Sequence, residues 1–365
     1  MLVQNQIPLA PLTTIGLGGN TNHYIQIKTT QDLCAALSYA KENSLDYFVL
    51  GGGSNTIFRD QGFSGVVFHI QIPGIRCMEE TNEFTIYKVG AGVVWDSFVE
   101  HTTKQGFVGI ESLSGIPGFV GASPIQNIGA YGQEVKDSIL EIETIDVSGQ
   151  QVIVSNQNAN FTYRNSEFKS GNLKNNIIIY VIFKVFKNKS VCLRYPEVQK
   201  HWLDILANHD WNQMDVDSSD LEKRIEVLAA YRAMILKLRS AKSMLYHPKD
   251  PNAKSVGSFF TNPILSKKEI DSFLERVESL QLAPPQLFLN ENNQTKLSAA
   301  WLIEQSGFKK GMKFPGGVAI SEKHCLALIN ENGTTETILQ MAETIREQVL
   351  LKFGLKLERE PVVFP

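Results

Sequence analysis

The sequence predicts an α+β protein built in two parts. Three observations carry that expectation: short apolar strand patterns punctuated by glycine fill the first half, helical patterns with start signals fill most of the second, and a polar stretch with no apolar period lies between them. At 365 residues the chain exceeds the usual size of a single hydrophobic core. With 43% apolar and 20% charged residues it has the composition of an ordinary globular protein, so a large core is affordable and function must come from local features.

In chain order, "YFVL" (Tyr47 to Leu50) is a buried-strand pattern that breaks at Gly51, Gly52 and Gly53, and "EFTIYKVGAGVVW" alternates before Gly90 and Gly92. "ILEIETIDVSGQQVIV" reads as a hairpin turning at Ser148-Gly149, and "NIIIYVIFKVF" (Asn176 to Phe186) as a long strand. The acidic stretch "ANHDWNQMDVDSSD" marks a linker over 207–220, which leaves a first domain at 1–206, in subdomains of about 1–68 and 69–206, and a second at 221–365. Capping-box patterns, Ser219 with Glu222 and Ser266 with Glu269, open two helices of the second domain. Its last helix, "TETILQMAETIREQVLLKF", stops at Gly354.

Several function classes are disfavoured. A formal net charge of −3 supplies no global attraction to nucleic acid or anionic lipid. Cys34, Cys77, Cys192 and Cys325 are scattered and no histidine stands at zinc-ligand spacing, so neither a disulfide framework nor a metal site is expected. The N-terminus lacks a signal-peptide pattern and no apolar run approaches the roughly 18 residues of a membrane span, so a cytoplasmic protein, expected to be a monomer, is the reading.

Three stretches can carry chemistry. The first is a pair of glycine-rich segments, "GGGSN" (Gly51 to Asn55) and "PGFVGASPIQNIGAYG" (Pro117 to Gly132), the second with no charged side chain. Bare backbone lets amide groups approach a ligand, and a concave run of them binds a diphosphate without lysine. Gln126, Asn127 and Tyr131 add neutral polar or flat surfaces suited to a nucleotide or a flavin ring. A dinucleotide fingerprint of the Rossmann type fits badly, because Thr56 stands where the third glycine of Gly51-x-Gly53-x-x-Gly belongs. The second stretch is "YRNSEFK" (Tyr163 to Lys169), where Arg164 can form a fork for a carboxylate or sit in a surface ion pair. The third is "SVGSFFTNP" (Ser255 to Pro263): two bulky aromatics pack inward and hold the Ser258 hydroxyl, which has no base to make it a nucleophile but can yield a proton to an acceptor as strong as an enolate carbon. Lys237, Arg239, Lys242, Lys249 and Lys254 place five cations within 18 residues, either to receive a diphosphate or as a solvated helix face. Glu358 and Glu360 sit in a strand-like tail whose default role is an exposed edge.

"GGGSN", "GIPGFVGASPIQNIGAYGQE", "YRNSEFK", "GSFFTNP", "AAWLIEQSGFKKG" and "LERE" follow one another in the order and spacing of the MurB family, the UDP-N-acetylenolpyruvoylglucosamine reductases of peptidoglycan synthesis, and the resemblance spans nearly the whole chain. It implies an FAD-binding domain of the vanillyl-alcohol-oxidase (PCMH) type followed by a smaller substrate domain. It implies non-covalent FAD, reduced by NADPH that leaves before the enolpyruvyl sugar nucleotide enters the same pocket. Hydride then adds to the terminal enolpyruvyl carbon. By this resemblance Arg164 and Glu360 hold the carboxylate and its enol form, with Glu358 as the alternative to Glu360, and Ser258 gives the proton. The cofactor residues would be Gly51, Gly52, Gly53, Ser54, Asn55, Ser114, Gly118, Gly121, Ala122, Ser123, Gln126, Asn127, Gly129 and Tyr131. Tyr131, Arg164, Tyr195, Lys242, Asn262 and Gln305 would meet the substrate, and "CLRYPEV" implies the subtype with a tyrosine loop. An FAD oxidase of an alcohol or 2-hydroxy acid and a non-catalytic nucleotide-sugar binding protein are the competing readings.

Overall fold

The computed structural model describes residues 1–209, 211, 220–247, 249–289 and 294–364. The chain forms two compact units, the first from Met1–Ile7, Thr21–Gly52 and Ser64–Leu245, the second from Pro8–Asn20, Gly53–Phe63 and Tyr246–Pro365.

The first unit is organised by Ile177–Phe186, the long strand expected from its apolar run. Ile177, Ile179, Val181, Phe183 and Val185 are at most 3% exposed while Tyr180, Ile182, Lys184 and Phe186 are half-buried, the period-two pattern that puts one face of a sheet in the core. This strand is central in an antiparallel sheet whose order is Gln151–Ser155, Ile139–Ile145, Ile177–Phe186, Phe84–Gly90, Ile75–Glu80. The outer two strands of the first side form the expected hairpin, with Gly149 at φ +84° and Asp146 accepting from the amides of Ser148 and Gln150. Helix Trp95–Lys104 lays Trp95, Phe98 and Val99 on the sheet, with the Phe98 and Phe183 rings 4.9 Å apart. A second sheet pairs Tyr47–Leu50 parallel to Phe63–Ile70.

Helix Leu221–Ala241 belongs to the first unit, which moves the division between units from the expected 207–220 to 245/246. The reason is specific: Arg232 clamps Asp96 through two hydrogen bonds of 2.7 and 2.8 Å, and Tyr231 packs edge-on against Trp202. The helix is capped by Asp220, whose carboxylate accepts from the amides of Glu222 and Lys223; Ser219 and most of the expected linker lie outside the described residues.

The second unit packs helices Lys267–Ser279, Ala299–Gln305 and Thr335–Phe353 on two small three-stranded sheets. The Ser266/Glu269 capping box forms as expected, and Gly354 ends the last helix in the left-handed conformation at φ +69°. The tail does not stay an open edge: Val362–Phe364 pairs parallel with Thr56–Phe58. Among the described residues no helix is long and apolar enough to cross a membrane, and no cluster of His, Cys, Asp or Glu has the arrangement of a metal site.

Candidate functional site

In the first unit the two glycine-rich segments meet. A methyl group on Gly52 would lie 2.8 Å from the Gly118 Cα, and one on Gly51 would touch Ala122 at 3.6 Å, so only glycine allows this approach at Gly52. Among the described residues, the main-chain amides of Gly51, Gly52, Gly118 and Phe119 donate to no protein acceptor, although all four residues are only half-buried. A group of uncommitted amides converging without a cation suits an anionic, diphosphate-bearing cofactor such as FAD. His69 braces the same corner. It is buried, shares a 2.6 Å hydrogen bond with the Tyr24 hydroxyl and stacks on Phe119, and burial lowers its pKa against a smaller opposing contribution from the Gly51 backbone.

Other residues expected at the cofactor turn out to have internal tasks. Gly121 packs on Ala91, where a methyl would come within 2.5 Å. The Ser114 and Ser123 hydroxyls, both buried, donate to the carbonyls of Glu111 and Val120. Asn127 is wholly buried in the left-handed conformation, donates both amide hydrogens to Glu134 and the Thr162 carbonyl, and accepts from Lys136. It therefore ties the second glycine-rich segment to the Arg164 turn instead of offering an open polar face. Gln126 is half-buried in the same stretch.

Arg164 sits at the tip of a tight turn closed by reciprocal Thr162 and Asn165 hydrogen bonds, at φ +53°. Its guanidinium donates to the Gly129 carbonyl at 2.9 Å and stacks on Tyr163, and its carbonyl accepts from Lys169. Tyr131 is also left-handed, at φ +52°, so three of the non-glycine residues that carry this uncommon conformation, Asn127, Tyr131 and Arg164, cluster here. The Tyr131 ring meets Tyr195 edge-on at 5.7 Å and lies 5.7 Å from the Lys242 ammonium. Burial pushes the Tyr131 phenol up to about 12, with Arg239 opposing and Glu197 adding to the rise, so it stays a hydrogen-bond donor at neutral pH. Arg239, one of the five cations read either as a diphosphate site or as a solvated helix face, is a half-buried cation in this cluster. Burial lowers its pKa, Tyr131 and Asp96 work the other way, and its Nη2 is spent on the Met244 carbonyl.

The five cations are divided between the units: Lys237, Arg239 and Lys242 belong to the first, Lys249 and Lys254 to the second.

In the second unit Phe259 and Phe260 are buried, as expected, and leave Ser258 half-buried at the surface of a short pairing. Phe259 donates to Leu326, the Glu360 amide donates to the Phe259 carbonyl at 2.9 Å, and Thr261 donates to Glu358. The tail thus runs antiparallel beside the serine, with Glu360 half-buried and Glu358 exposed. Asn55 holds that tail, its side chain donating to the Glu360 carbonyl and its own carbonyl accepting from Val362. Gly53, at φ +63°, is required for a different reason from Gly52: a methyl there would lie 1.9 Å from the Leu12 carbonyl oxygen. Ser54 is half-buried in the same turn. Asn262 accepts from the Ala299 amide at the start of helix Ala299–Gln305, and Gln305 closes that helix with its carbonyl bonded by Lys352.

A family model described as UDP-N-acetylenolpyruvoylglucosamine reductase, C-terminal domain, matches residues 249–364, and one described as FAD binding domain matches residues 21–155. A UDP-N-acetylenolpyruvoylglucosamine reductase of Thermobifida fusca is 37% identical over 363 residues, which is 98% of this chain and 96% of that protein. The chain belongs to the MurB family. A MurB reductase of Streptomyces coelicolor is 38% identical, covering 97% of the chain and 88% of its own length. The crystal structure of MurB from Thermus caldophilus matches all of both chains with a TM-score of 0.65 at 22% identity, which shows a shared fold. The expected FAD-binding domain of PCMH type followed by a MurB C-terminal domain is what this MurB chain has.

Sequence reasoning missed two MurB residues of the first unit. Buried Glu111 accepts from the amides of Gly109 and Cys192 and from Gln133, and Tyr231 donates to the Cys192 carbonyl at 2.6 Å. Together they pin both backbone groups of a residue three positions before Tyr195. Neither lies in a glycine-rich or catalytic-looking motif.

Proposed function

We propose that this MurB-family protein reduces UDP-N-acetylglucosamine enolpyruvate to UDP-N-acetylmuramate, taking electrons from NADPH through non-covalent FAD. The observation that carries the reading is the end-to-end match to named reductases, over 98% of the chain, with Arg164, Ser258 and Glu360 all present. Bound FAD supplies the two-electron relay between the nicotinamide and the enolpyruvyl double bond. The amides of Gly51, Gly52, Gly118 and Phe119 would hold its diphosphate.

The chain's own residues manage charge and protons. Reduction at the terminal carbon drives an electron pair through the adjacent carbon into the carboxylate, so the site must stabilise an enolate. Arg164, fixed at its strained turn, and Glu360 hold the carboxylate and its enol form. Ser258 delivers its hydroxyl proton to the adjacent carbon, and the serine recovers a proton from solvent; a neutral hydroxyl suffices because the accepting carbon is so basic. Lys242, Asn262 and Gln305 hold the diphosphate and sugar, Tyr131 donates from its protonated phenol, and Tyr195 folds over the substrate as the residue of a tyrosine loop. One pocket serves NADPH and substrate in turn, consistent with the lack of a separate dinucleotide fingerprint. The reading takes the protein as a cytoplasmic monomer.

The test is whether NADPH oxidation by the FAD-loaded protein depends on the enolpyruvyl sugar nucleotide and yields a product heavier by H2. NADPH consumption that ignores this substrate and releases peroxide would contradict the reading and favour an oxidase.

A further inference from the structure

Within the first unit the Lys242 ammonium lies 2.5 Å from a carboxylate oxygen of Glu197, in a pair whose side chains are 31% and 33% exposed. Glu197 stands two residues after Tyr195, in the first turn of helix Pro196–Leu206, where the helix dipole also favours a negative charge. Lys242 in turn faces the Tyr131 ring, and Tyr131 meets Tyr195. Thus a carboxylate beside the tyrosine segment holds the cation that an anionic ligand needs. Arg239, half-buried nearby with a buried Nε unpaired among the described residues, keeps the neighbourhood cationic without contributing to that pair.

We infer that Glu197 is a built-in competitor for the diphosphate: its carboxylate must be displaced from Lys242 when a nucleoside diphosphate binds, and it recaptures Lys242 when the nucleotide leaves. This rests on the proposed role of Lys242 as a diphosphate ligand. Glu197 is then a specificity-determining residue that weakens binding of the phosphate portion and hastens release, and it links release to the segment carrying Tyr195. A single half-exposed carboxylate is a weak enough partner to be exchanged, since such pairs hold only modestly in water, whereas a diphosphate brings more charge and more acceptor oxygens to the same ammonium.

The experiment measures equilibrium binding of UDP, and of uridine as the uncharged control, to the FAD-loaded protein by calorimetry at low ionic strength. Wild type, Glu197→Gln, Lys242→Met and the double variant are compared. The proposal expects Glu197→Gln to bind UDP about two- to fivefold more tightly, the scale of a partly exposed ion pair. It expects no gain for uridine, weaker UDP binding in Lys242→Met, and no further effect of Glu197→Gln in that background. Unchanged or weakened UDP binding in Glu197→Gln overturns it, as does a gain that persists without Lys242. Lys242→Met binding UDP as wild type does would instead remove Lys242 from the diphosphate site, and the proposal with it.

Discussion

The amide of Glu360 donates to the carbonyl of Phe259 at 2.9 Å, which sets the C-terminal tail beside the segment that carries Ser258. Glu358 is exposed and its carbonyl serves Thr261, one step farther along the pairing. Glu360→Gln is therefore expected to lower the rate of substrate reduction strongly, while Glu358→Gln stays within about threefold of wild type, the range of a surface change. Single-turnover reduction of the enolpyruvyl sugar nucleotide separates them; the reverse ranking would transfer the role to Glu358.

Ser258 presents its hydroxyl from a segment locked by two buried aromatics, so its removal should leave the surrounding geometry intact. Ser258→Ala is expected to slow substrate reduction by about 10²-fold or more, the scale of a lost proton donor, and to leave flavin reduction by NADPH near normal. Stopped-flow measurement of the two half-reactions checks this, and equal damage to both would take Ser258 out of the proton-transfer step.

Two neighbouring glycines should fail in different ways. Gly52→Ala forces a methyl against the Gly118 Cα at 2.8 Å and prises the two glycine segments apart, so FAD affinity is expected to fall roughly tenfold. Gly53→Ala collides with the Leu12 carbonyl at φ +63° and is expected to cost about 1–3 kcal/mol of stability. Flavin titration and denaturant unfolding of the two variants distinguish these losses.

His69 predicts a pH dependence. Its folded pKa is lowered by burial, so between that value and about 6.5, the ordinary value for an unfolded chain, the unfolded state binds more protons. Its stabilising effect is therefore complete above about pH 6.5 and is lost as pH falls through the folded pKa. Tyr24, Gln71, Phe119 and the Gly51 backbone surround the ring, and among the described residues no carboxylate is a partner to offset a positive charge. Melting temperatures followed downward from neutral pH should fall, and the slope should be shallower in His69→Gln; identical slopes would exclude His69 as the source.

The Arg232–Asp96 clamp explains why helix Leu221–Ala241 joins the first unit. Although burial opposes ionisation, hydrogen bonds from Arg232 and the Gly115 amide hold the Asp96 carboxyl below the usual carboxylate range. Asp96→Asn is expected to cost about 1.5–3 kcal/mol at neutral pH, as for hydrogen bonds to a charged group, with the difference from wild type shrinking as pH falls through the lowered pKa. Urea unfolding at several pH values gives both numbers.

Much of this was legible because local rules acted alone. The 148–149 turn, the Ser266/Glu269 box, the Gly354 stop and the inward Phe259 and Phe260 each depend on a few adjacent residues. What depended on distant partners was not. The assignment of helix Leu221–Ala241 turns on Asp96, more than a hundred residues away, and no composition shift reports such a pairing. Asn127 read as an open polar group because its three partners, Glu134, Lys136 and Thr162, are set by the fold. The run of five cations looked continuous because sequence distance does not show that the chain passes between units at residue 245. Arg164 read as either a carboxylate fork or a surface ion pair, and its left-handed turn was not legible, since arginine carries no preference for that conformation.

The most direct measurement is the visible spectrum of the purified protein under anaerobic conditions. The account predicts flavin absorbance that acid releases from the protein, bleaching on addition of NADPH, and recovery of colour when the enolpyruvyl sugar nucleotide is added. Protein that cannot be loaded with FAD, or bleached flavin that stays bleached in the presence of that substrate, would contradict it.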